Sequence, residues 1–280
     1  MKLVLSTVSW FALALGACAT TKPVAPTQPT PGTTTAAADE FEFPVAPPQV
    51  GDMVTELKER TMVATVEVSA SQRMHLMSSE QRTELKQIVA LDGDIVTKLK
   101  VTHRSVTTQE TVNGKPRTEP TPTVGKTYLV WRAGGELQVS YLDGTAPPAA
   151  ETKEVRRGNR SVGRPEPLER IVAARVWKVD QRFEFTAAQV AEMNQAIDAD
   201  EPSLTSMALT LQRVDDAVAT MAMTMTMTEA DAGMAVELAG TLKLDRKTGR
   251  PLEFSGAGPF SAVAALKMVG TMSMKVRYAY

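Results

Sequence analysis

The stretch of residues 217–228, in which methionine alternates strictly with alanine or threonine from residue 221 onward, constrains the fold of this chain more than any other. Met221, Met223, Met225 and Met227 are each followed by an alanine or a threonine. Successive side chains of an extended strand point to opposite faces, so the four thioethers share one face. Threonine is β-branched and favours the pleated conformation, whereas a helix would scatter these methionines around its axis. The stretch therefore predicts a β-strand.

Other stretches with alternating apolar residues predict further strands. Residues 61–70 carry Met, Ala, Val, Val and Ala at their even positions, and similar alternation occurs in residues 234–244 and 272–280. Asp92-Gly93-Asp94 and Ala133-Gly134-Gly135 are turn sequences typical of hairpins. These patterns predict an antiparallel arrangement of strands joined by short turns.

Helical periodicity is concentrated in the middle of the chain. Residues 167–176 begin with a proline and place Leu168, Ile171, Val172 and Val176 on one helical face. Thr186 and Gln189 have the spacing of a capping box and predict the start of a second helix. Together, the strand, turn and helix patterns predict a mainly β fold: a curved antiparallel sheet or half-barrel with two short middle helices.

Two segments allow more than one interpretation. Residues 80–90 fit either a strand or a short helix, because residues 78–81 resemble a helix cap. Residues 143–164 predict a long polar loop. Between residues 151 and 170 basic side chains outnumber the four glutamates, which fits either a solvated loop or a patch for lipid phosphates or peptidoglycan. The basic residues are Lys153, Arg156, Arg157, Arg160, Arg164 and Arg170.

The N-terminal residues are typical of an export signal. The apolar run of residues 3–15 follows Met1-Lys2 and is shorter than the roughly 20 residues that a membrane-spanning helix needs. It ends in Leu15-Gly16-Ala17-Cys18, which resembles the lipobox of bacterial lipoproteins. The resemblance implies cleavage before Cys18, a diacylglyceryl group on its thiol and an acyl group such as palmitate on its amine. The alternative is a secreted protein that is cleaved near Ala17 and keeps a free cysteine.

The lipobox divides the chain into segments. Residues 1–17 are the predicted signal peptide, and residues 18–50 are predicted to form the lipid anchor and a stalk rich in Thr, Pro and Ala. A stretch with so few large apolar residues cannot offset the entropy of ordering. Residues 51–280 are predicted to form the β-rich domain, whose two similar halves would be residues 51–145 and 200–280.

The resemblance to bacterial lipoproteins also implies a location. Ala19 rather than aspartate follows the cysteine, and by the sorting rule of enteric bacteria this implies the outer membrane, with the domain facing the periplasm or the cell surface. Cys18 is the single cysteine of the chain, so an intramolecular disulfide is excluded.

The order strands, helices, strands in an exported, lipid-anchored chain resembles the lipoprotein-localisation fold (LolA, LolB and the mycobacterial lipid-carrying lipoproteins). It is also similar to uncharacterised bacterial lipoproteins built of two similar β halves. Both resemblances cover residues 60–280 at the level of architecture, and a fold by itself does not determine an activity.

The sequence gives little support for catalysis or for a cofactor. His75 and His103 are the two histidines, and neither has the spacing to other ligands that zinc or iron sites require. Asp92-Gly93-Asp94 lacks the later ligands of a calcium loop. A net charge of -1 and an aromatic content of 5% argue against nucleic-acid binding. We therefore expect a protein that is not an enzyme and binds no cofactor, metal ion or nucleic acid.

Methionine is the one unusual residue type, with 15 in the chain. Methionines can fill a core, line an adaptable apolar cavity, or bind Cu(I) through their thioethers. Our working hypothesis is a non-catalytic membrane-anchored lipoprotein that binds lipid or a lipidated partner in an apolar cavity. The alternatives are a structural or assembly lipoprotein of the cell envelope without a ligand cavity and, less favoured, a Cu(I)-binding protein. The predicted cavity residues are Met221, Met223, Met225, Met227, Leu238, Met272 and Met274.

Overall fold

The computed structural model describes residues 40–69, 71–117, 121–195, 203–229, 233–263 and 266–280. Within these residues the chain forms fourteen strands and three helices. The strands are β1 (Glu40–Glu42), β2 (Met53–Ser69), β3 (Gln72–Asp92), β4 (Ile95–Val112), β5 (Lys115–Arg117), β6 (Thr127–Ala133), β7 (Glu136–Tyr141), β8 (Val176–Lys178), β9 (Arg182–Glu184), β10 (Ser203–Val214), β11 (Val218–Glu229), β12 (Met234–Asp245), β13 (Pro251–Val263) and β14 (Lys267–Ala279). The helices are α1 (Ala149–Arg157), α2 (Pro167–Ala173) and α3 (Ala187–Gln195).

One antiparallel sheet contains twelve of these strands. Its order is β7-β6-β4-β3-β2-β14-β13-β12-β11-β10-β9, and β5 pairs with the end of β4. β1 and β8 form a separate two-stranded ribbon. The predicted fold class, a mainly β protein with a large curved antiparallel sheet and a small helical insert, is confirmed.

Tight turns join the neighbouring strands at the positions that their sequences predict. Gly93 has a φ of 59° between β3 and β4, and Gly134 and Gly135 have φ angles of 60° and 86° between β6 and β7. Glycine adopts these positive φ angles without the steric cost that a Cβ atom would impose. The turn residues therefore determine where each hairpin reverses.

The methionine stretch is strand β11, as predicted. Met225 lies opposite Met207 of β10 on one side and opposite Leu238 of β12 on the other. The methionines of β11 are buried, whereas Thr224 on the opposite face is exposed. The same alternation in β12 and β14 extends this apolar face across the sheet.

The three helices and the β1–β8 ribbon supply apolar side chains to the core on the covered face of the sheet. α2 buries Leu168, Ile171 and Val172, and α3 buries Val190 and Met193. These side chains belong to the same apolar core as the sheet residues. Trp177 of the ribbon, at 1% exposure, and Phe43, directly after β1 and at 4% exposure, add two aromatic side chains to the core.

The structure differs from the sequence predictions at several elements. Helix α1 forms within residues 143–164, which were predicted to be a polar loop. Residues 80–90, left open between strand and helix, lie within β3. The predicted helix of residues 167–176 ends at Ala173, and Val176 begins β8 with 47% exposure.

The two predicted halves of the domain contribute to one continuous sheet. Residues 51–145 supply β2 to β7, and residues 200–280 supply β10 to β14. The two sets are joined where β2 pairs with β14. Order also begins before residue 51, because β1 pairs with β8 and Phe43 is buried.

The predicted signal peptide, the lipidation site Cys18 and most of the predicted stalk lie outside the described residues. Among the residues that are described, none of the helices has both the length and the apolar character needed to cross a bilayer.

Candidate functional site

The seven residues predicted to line a cavity lie together in the buried core. Their exposed fractions run from 0% for Met221 to 9% for Met274. They share this face with other apolar side chains of the sheet, including Phe254 and Val276. The structure thus brings the predicted residues together, and binding of a ligand at this face stays a prediction.

The structure also bears on the Cu(I) hypothesis. The described residues contain no group of three or more His, Cys, Asp or Glu side chains placed to hold a metal ion. Alternate methionines on one strand are about 6.6 Å apart, so convergence on one ion requires a partner strand. Met207 opposite Met225 is such a cross-strand partner.

A double substitution, Met223→Leu with Met225→Leu, separates packing from metal binding. Both side chains are buried, and leucine nearly conserves their volume, so each change should cost less than about 1.5 kcal/mol. Urea unfolding measures this cost, and mass spectrometry under reducing conditions measures bound copper. Loss of stoichiometric copper in the double variant would favour the Cu(I) hypothesis, whereas a metal-free wild-type protein would exclude it.

A cavity of about 340 Å³ lies between the sheet and the segment that connects α1 to α2. The sheet side is formed by β2, β3 and β4, and the opposite side by residues 159–170 and residues 45–48. Most of the lining is aliphatic or proline. These residues are Val45, Ala46, Pro48, Val54, Ile88, Ile95, Val96, Leu99, Val162 and Pro165.

Several charged residues complete the cavity wall: Lys86, Asp94, Arg164, Glu166, Glu169 and Arg170. Lys86 is held by an ion pair of 2.6 Å with Glu56 and donates to the carbonyl of Gly158 at 3.3 Å. Arg170 pairs with Glu192. Glu169 differs, because its Oε1 is buried and accepts no hydrogen bond from the part of the chain that the structure describes. Burial raises the pKa of Glu169 to about 7, although the positive charge of Arg250 acts to lower it.

A buried network of charged side chains adjoins this cavity through Lys86. Glu84 is 0% exposed and lies 3.4 Å from Arg82, 3.7 Å from Lys86 and 3.9 Å from Lys58. Its Oε1 is 3.4 Å from Nδ1 of His103. Burial opposes the ionisation of Glu84, but the charges of Lys58 and Lys86 are the main reason that its pKa lies well below the ordinary value.

Opposing effects of burial and charge also set the protonation of the other members of the network. Burial lowers the pKa of Lys86, but Glu56 and Glu84 outweigh this effect and raise its pKa overall. Burial lowers the pKa of His103 to about 4, against the attraction of Glu84. His103 is therefore neutral at pH 7, and burial also lowers the pKa of Lys58, although the charge of Glu56 acts to raise it.

Polar contacts fix helix α1 against the sheet. Glu151 accepts hydrogen bonds from Tyr128 at 2.7 Å and Tyr141 at 2.8 Å. Glu154 accepts from Arg82 at 2.8 Å and from Thr123 at 3.1 Å. These contacts explain how a helix with a single buried aliphatic side chain packs on the sheet.

A second depression, a cleft of about 550 Å³, lies between the β6–β7 turn and α1 with the segment after it. Its lining contains six basic side chains and one acidic side chain, that of Glu136. We call it the cationic cleft, and its basic residues are Arg132, Lys153, Arg156, Arg157, Arg160 and Arg164. The structure thus brings together five residues of the predicted basic patch, adds Arg132, and places Arg170 at the apolar cavity instead.

Arg132 fixes one wall of the cationic cleft. Its guanidinium donates to the carbonyls of Gly135 at 2.6 Å, Arg160 at 2.7 Å and Val162 at 2.9 Å. Arg157 lies 3.7 Å from Glu80. The Nε of Arg156 is buried and has no hydrogen-bond partner among the described residues. The cleft therefore combines a fixed backbone with an excess of positive charge.

Comparison with known proteins gives no family. No protein-family model and no curated protein matches this chain. One solved structure, described as lipid–protein interactions in lipovitellin, is 8% identical to this chain and has a TM-score of 0.40. The alignment covers 83% of this chain and 25% of the lipovitellin chain. This chain thus spans about a quarter of that lipovitellin chain.

Two further structures are more distant. DynF, from the dynemicin biosynthesis pathway of Micromonospora chersina, is 10% identical, with a TM-score of 0.20 and 92% of each chain covered. An outer membrane channel of Pseudomonas putida F1 is 8% identical, with a TM-score of 0.21, 88% of this chain and 100% of that chain covered. Similarity at this level carries no information on function.

Proposed function

We propose that this protein is a non-catalytic lipoprotein of the bacterial cell envelope that binds lipid or a lipidated partner. The observation that supports the proposal is the apolar cavity of about 340 Å³ between the sheet and the helical segment. Small-molecule sites are concave and mostly apolar, with a few polar groups that fix orientation. Binding would come from apolar burial, worth about 25 cal/mol per Å² before the costs of ordering.

The size of the cavity favours a single acyl chain. Its volume lies near the lower end of the roughly 300 to 1,000 Å³ that is typical of ligand pockets. Ile88 at 1% and Leu99 at 9% exposure lie on adjacent strands and give the cavity a rigid floor. The proposed ligand site is therefore this cavity, and the methionine face forms the core beside it.

The proposed location follows from the lipobox and not from the folded region. Cys18 would carry the acyl groups, and two or more acyl chains attach a protein to a bilayer far more firmly than one. The domain would then be held at the outer membrane, facing the periplasm or the cell surface. A lipid-binding site on such a domain would remain close to its source of ligand.

A cavity-filling substitution tests the proposal. Val96 lines the cavity, so Val96→Trp should occupy the volume that an acyl chain needs and weaken palmitate binding at least tenfold. Val63→Trp is the matched control, because Val63 is 48% exposed and is not a cavity residue. Both are made in Cys18→Ser protein, and native mass spectrometry and thermal unfolding with palmitate are measured. Saturating ligand should raise the unfolding temperature of the control and of the parent.

The result also separates the proposal from its alternative. A wild-type protein that carries no lipid mass and gains no thermal stability from palmitate would favour a structural or assembly lipoprotein. Equal palmitate affinity in Val96→Trp and Val63→Trp protein would place the ligand elsewhere, and the methionine face would then be tested first.

A further inference from the structure

The apolar cavity and the cationic cleft have one residue in common. Arg164 lines both, and the chain between α1 and α2 contributes residues to each of them. Ser161 and Val162 line the cavity, whereas Arg160 lines the cleft. An aliphatic volume and a positively charged surface therefore adjoin on either side of residues 159–164.

Positively charged residues predominate in the lining of the cleft. Six of its lining residues are basic, and one, Glu136, is acidic. Glu80 offsets part of the charge of Arg157. Arginine guanidinium groups bind phosphate and carboxylate oxygens with geometrically matched hydrogen bonds. Arg156 lines this cleft, and its Nε forms no hydrogen bond with the residues that the structure describes.

The cavity wall has a different charge balance. Lys86 and Arg170 are paired with Glu56 and Glu192, and the lining also contains the acidic residues Asp94 and Glu166. An anionic group is therefore better accommodated in the cleft than in the cavity.

We propose that the cationic cleft binds the anionic headgroup of an amphiphile whose single acyl chain occupies the adjoining cavity. This inference rests on the proposed function and narrows the ligand class to anionic single-chain lipids, such as a lysophospholipid with a phosphate-based, negatively charged headgroup. The acyl chain would gain affinity by burying its apolar surface in the cavity. The headgroup would accept charge-assisted hydrogen bonds from Arg156 and its neighbours. Arg164 lines both the cavity and the cleft, so it would lie beside the bond that joins the acyl chain to the headgroup.

The test compares ligands with the same acyl chain, each below its critical micelle concentration. The probes are palmitoyl lysophosphatidylglycerol, palmitoyl lysophosphatidylcholine and inorganic phosphate, titrated into Cys18→Ser protein. We expect the anionic lysolipid to bind at least tenfold more tightly than the zwitterionic one, and inorganic phosphate to bind more weakly than the anionic lysolipid by a larger factor. Higher ionic strength should reduce the difference between the lysolipids.

A pair of double variants with equal change in net charge shows where the headgroup binds. Lys153→Gln with Arg156→Gln removes two cations of the cleft and should abolish the preference for the anionic lysolipid, while the zwitterionic one binds as before. Arg73→Gln with Arg213→Gln is the control, because these side chains are 70% and 72% exposed and lie outside the cleft. The control should keep the full preference.

Each contrary outcome has a distinct meaning. Equal affinity for the two lysolipids, or a preference that survives in the Lys153→Gln/Arg156→Gln variant, would overturn the headgroup site and leave the proposed function standing. Inorganic phosphate that binds as tightly as the anionic lysolipid would also overturn the inference, since the acyl chain would then contribute nothing. Failure of both lysolipids to bind would overturn the proposed function as well.

Discussion

Replacing Glu84 with glutamine is expected to lower the free energy of unfolding by about 3 to 5 kcal/mol. Glu84 is fully buried and is the carboxylate within 4 Å of Lys58, Arg82 and Lys86. Glutamine keeps the volume but removes the charge, so the buried cations Arg82 and Lys86 and the partly buried Lys58 lose part of their charge compensation. Removing one partner of a buried ion pair is costly because the remaining charges stay desolvated.

Glu253→Gln is the matched control for this experiment. Glu253 also has three basic neighbours, with Lys243 and Lys275 at 2.9 Å and Arg277 at 3.5 Å. Its side chain is 16% exposed, whereas that of Glu84 is 0% exposed. Solvent screens the exposed cluster, so we expect a cost of about 1 kcal/mol or less. Urea unfolding at pH 7 measures both variants, and equal costs would contradict the view that burial determines the difference.

The same network shows why sequence patterns reveal one part of this fold and hide another. Period-two alternation predicted β11 because the methionines face the core and the threonines face away. In β3 the residues Arg82, Glu84 and Lys86 have the same parity as buried Ile88, so the signal for their burial was present. A hydropathy pattern assigns charged side chains to solvent. Their burial depends on partners from other strands, which local spacing does not identify.

Helix α1 was missed for a related reason. Its buried face consists of Val155 and the carboxylate of Glu151, with Glu154 beside them, so it lacks the apolar stripe by which amphipathic helices are recognised. Tyr128 and Tyr141, which hold Glu151, are contributed by the preceding hairpin. Helix formation here depends on tertiary hydrogen bonds that the sequence of the helix alone does not display.

The apolar cavity and the cationic cleft were predicted only in part. Ile95 and Leu99 have the same parity in β4, and both line the cavity. The sequence identified the cluster of basic residues that forms most of the cleft. The cavity itself arises because Val45, Ile88 and Val162, which are distant in the chain, surround a volume that none of them fills. Such a volume is a property of packing and is absent from any local pattern.

The second large effect concerns the dependence of stability on pH, to which His103 and Glu169 contribute with opposite signs. The pKa of His103 falls from 6.5 to about 4 on folding, chiefly through burial, against the attraction of Glu84. Its contribution to stability is complete above pH 6.5 and is lost as the pH falls through 4. The pKa of Glu169 rises from 4.5 to about 7 through burial. Its contribution is complete below pH 4.5 and is lost as the pH rises through 7.

Between pH 4.5 and 6.5 the two contributions oppose each other, so the wild-type protein should have a nearly constant free energy of unfolding. Glu169→Gln removes one of them, and stability should then rise by about 2 to 3 kcal/mol from pH 4.5 to 6.5. His103→Gln should give the opposite slope. His75→Gln, at an exposed position on β3, should leave the wild-type profile unchanged.

Urea unfolding at half-unit steps from about pH 3.5 to 7.5 measures these slopes. Below pH 4.5 all variants should lose stability together, because Glu80 and Glu84 have lowered pKa values and their ion pairs are lost on protonation. A flat profile in Glu169→Gln protein would show that His103 does not carry the predicted shift. Palmitate added to the wild-type protein links this result to the cavity. Because the Oε1 of Glu169 is buried there, a bound acyl chain should raise the pKa of Glu169 further and extend the loss of stability to pH values above 7.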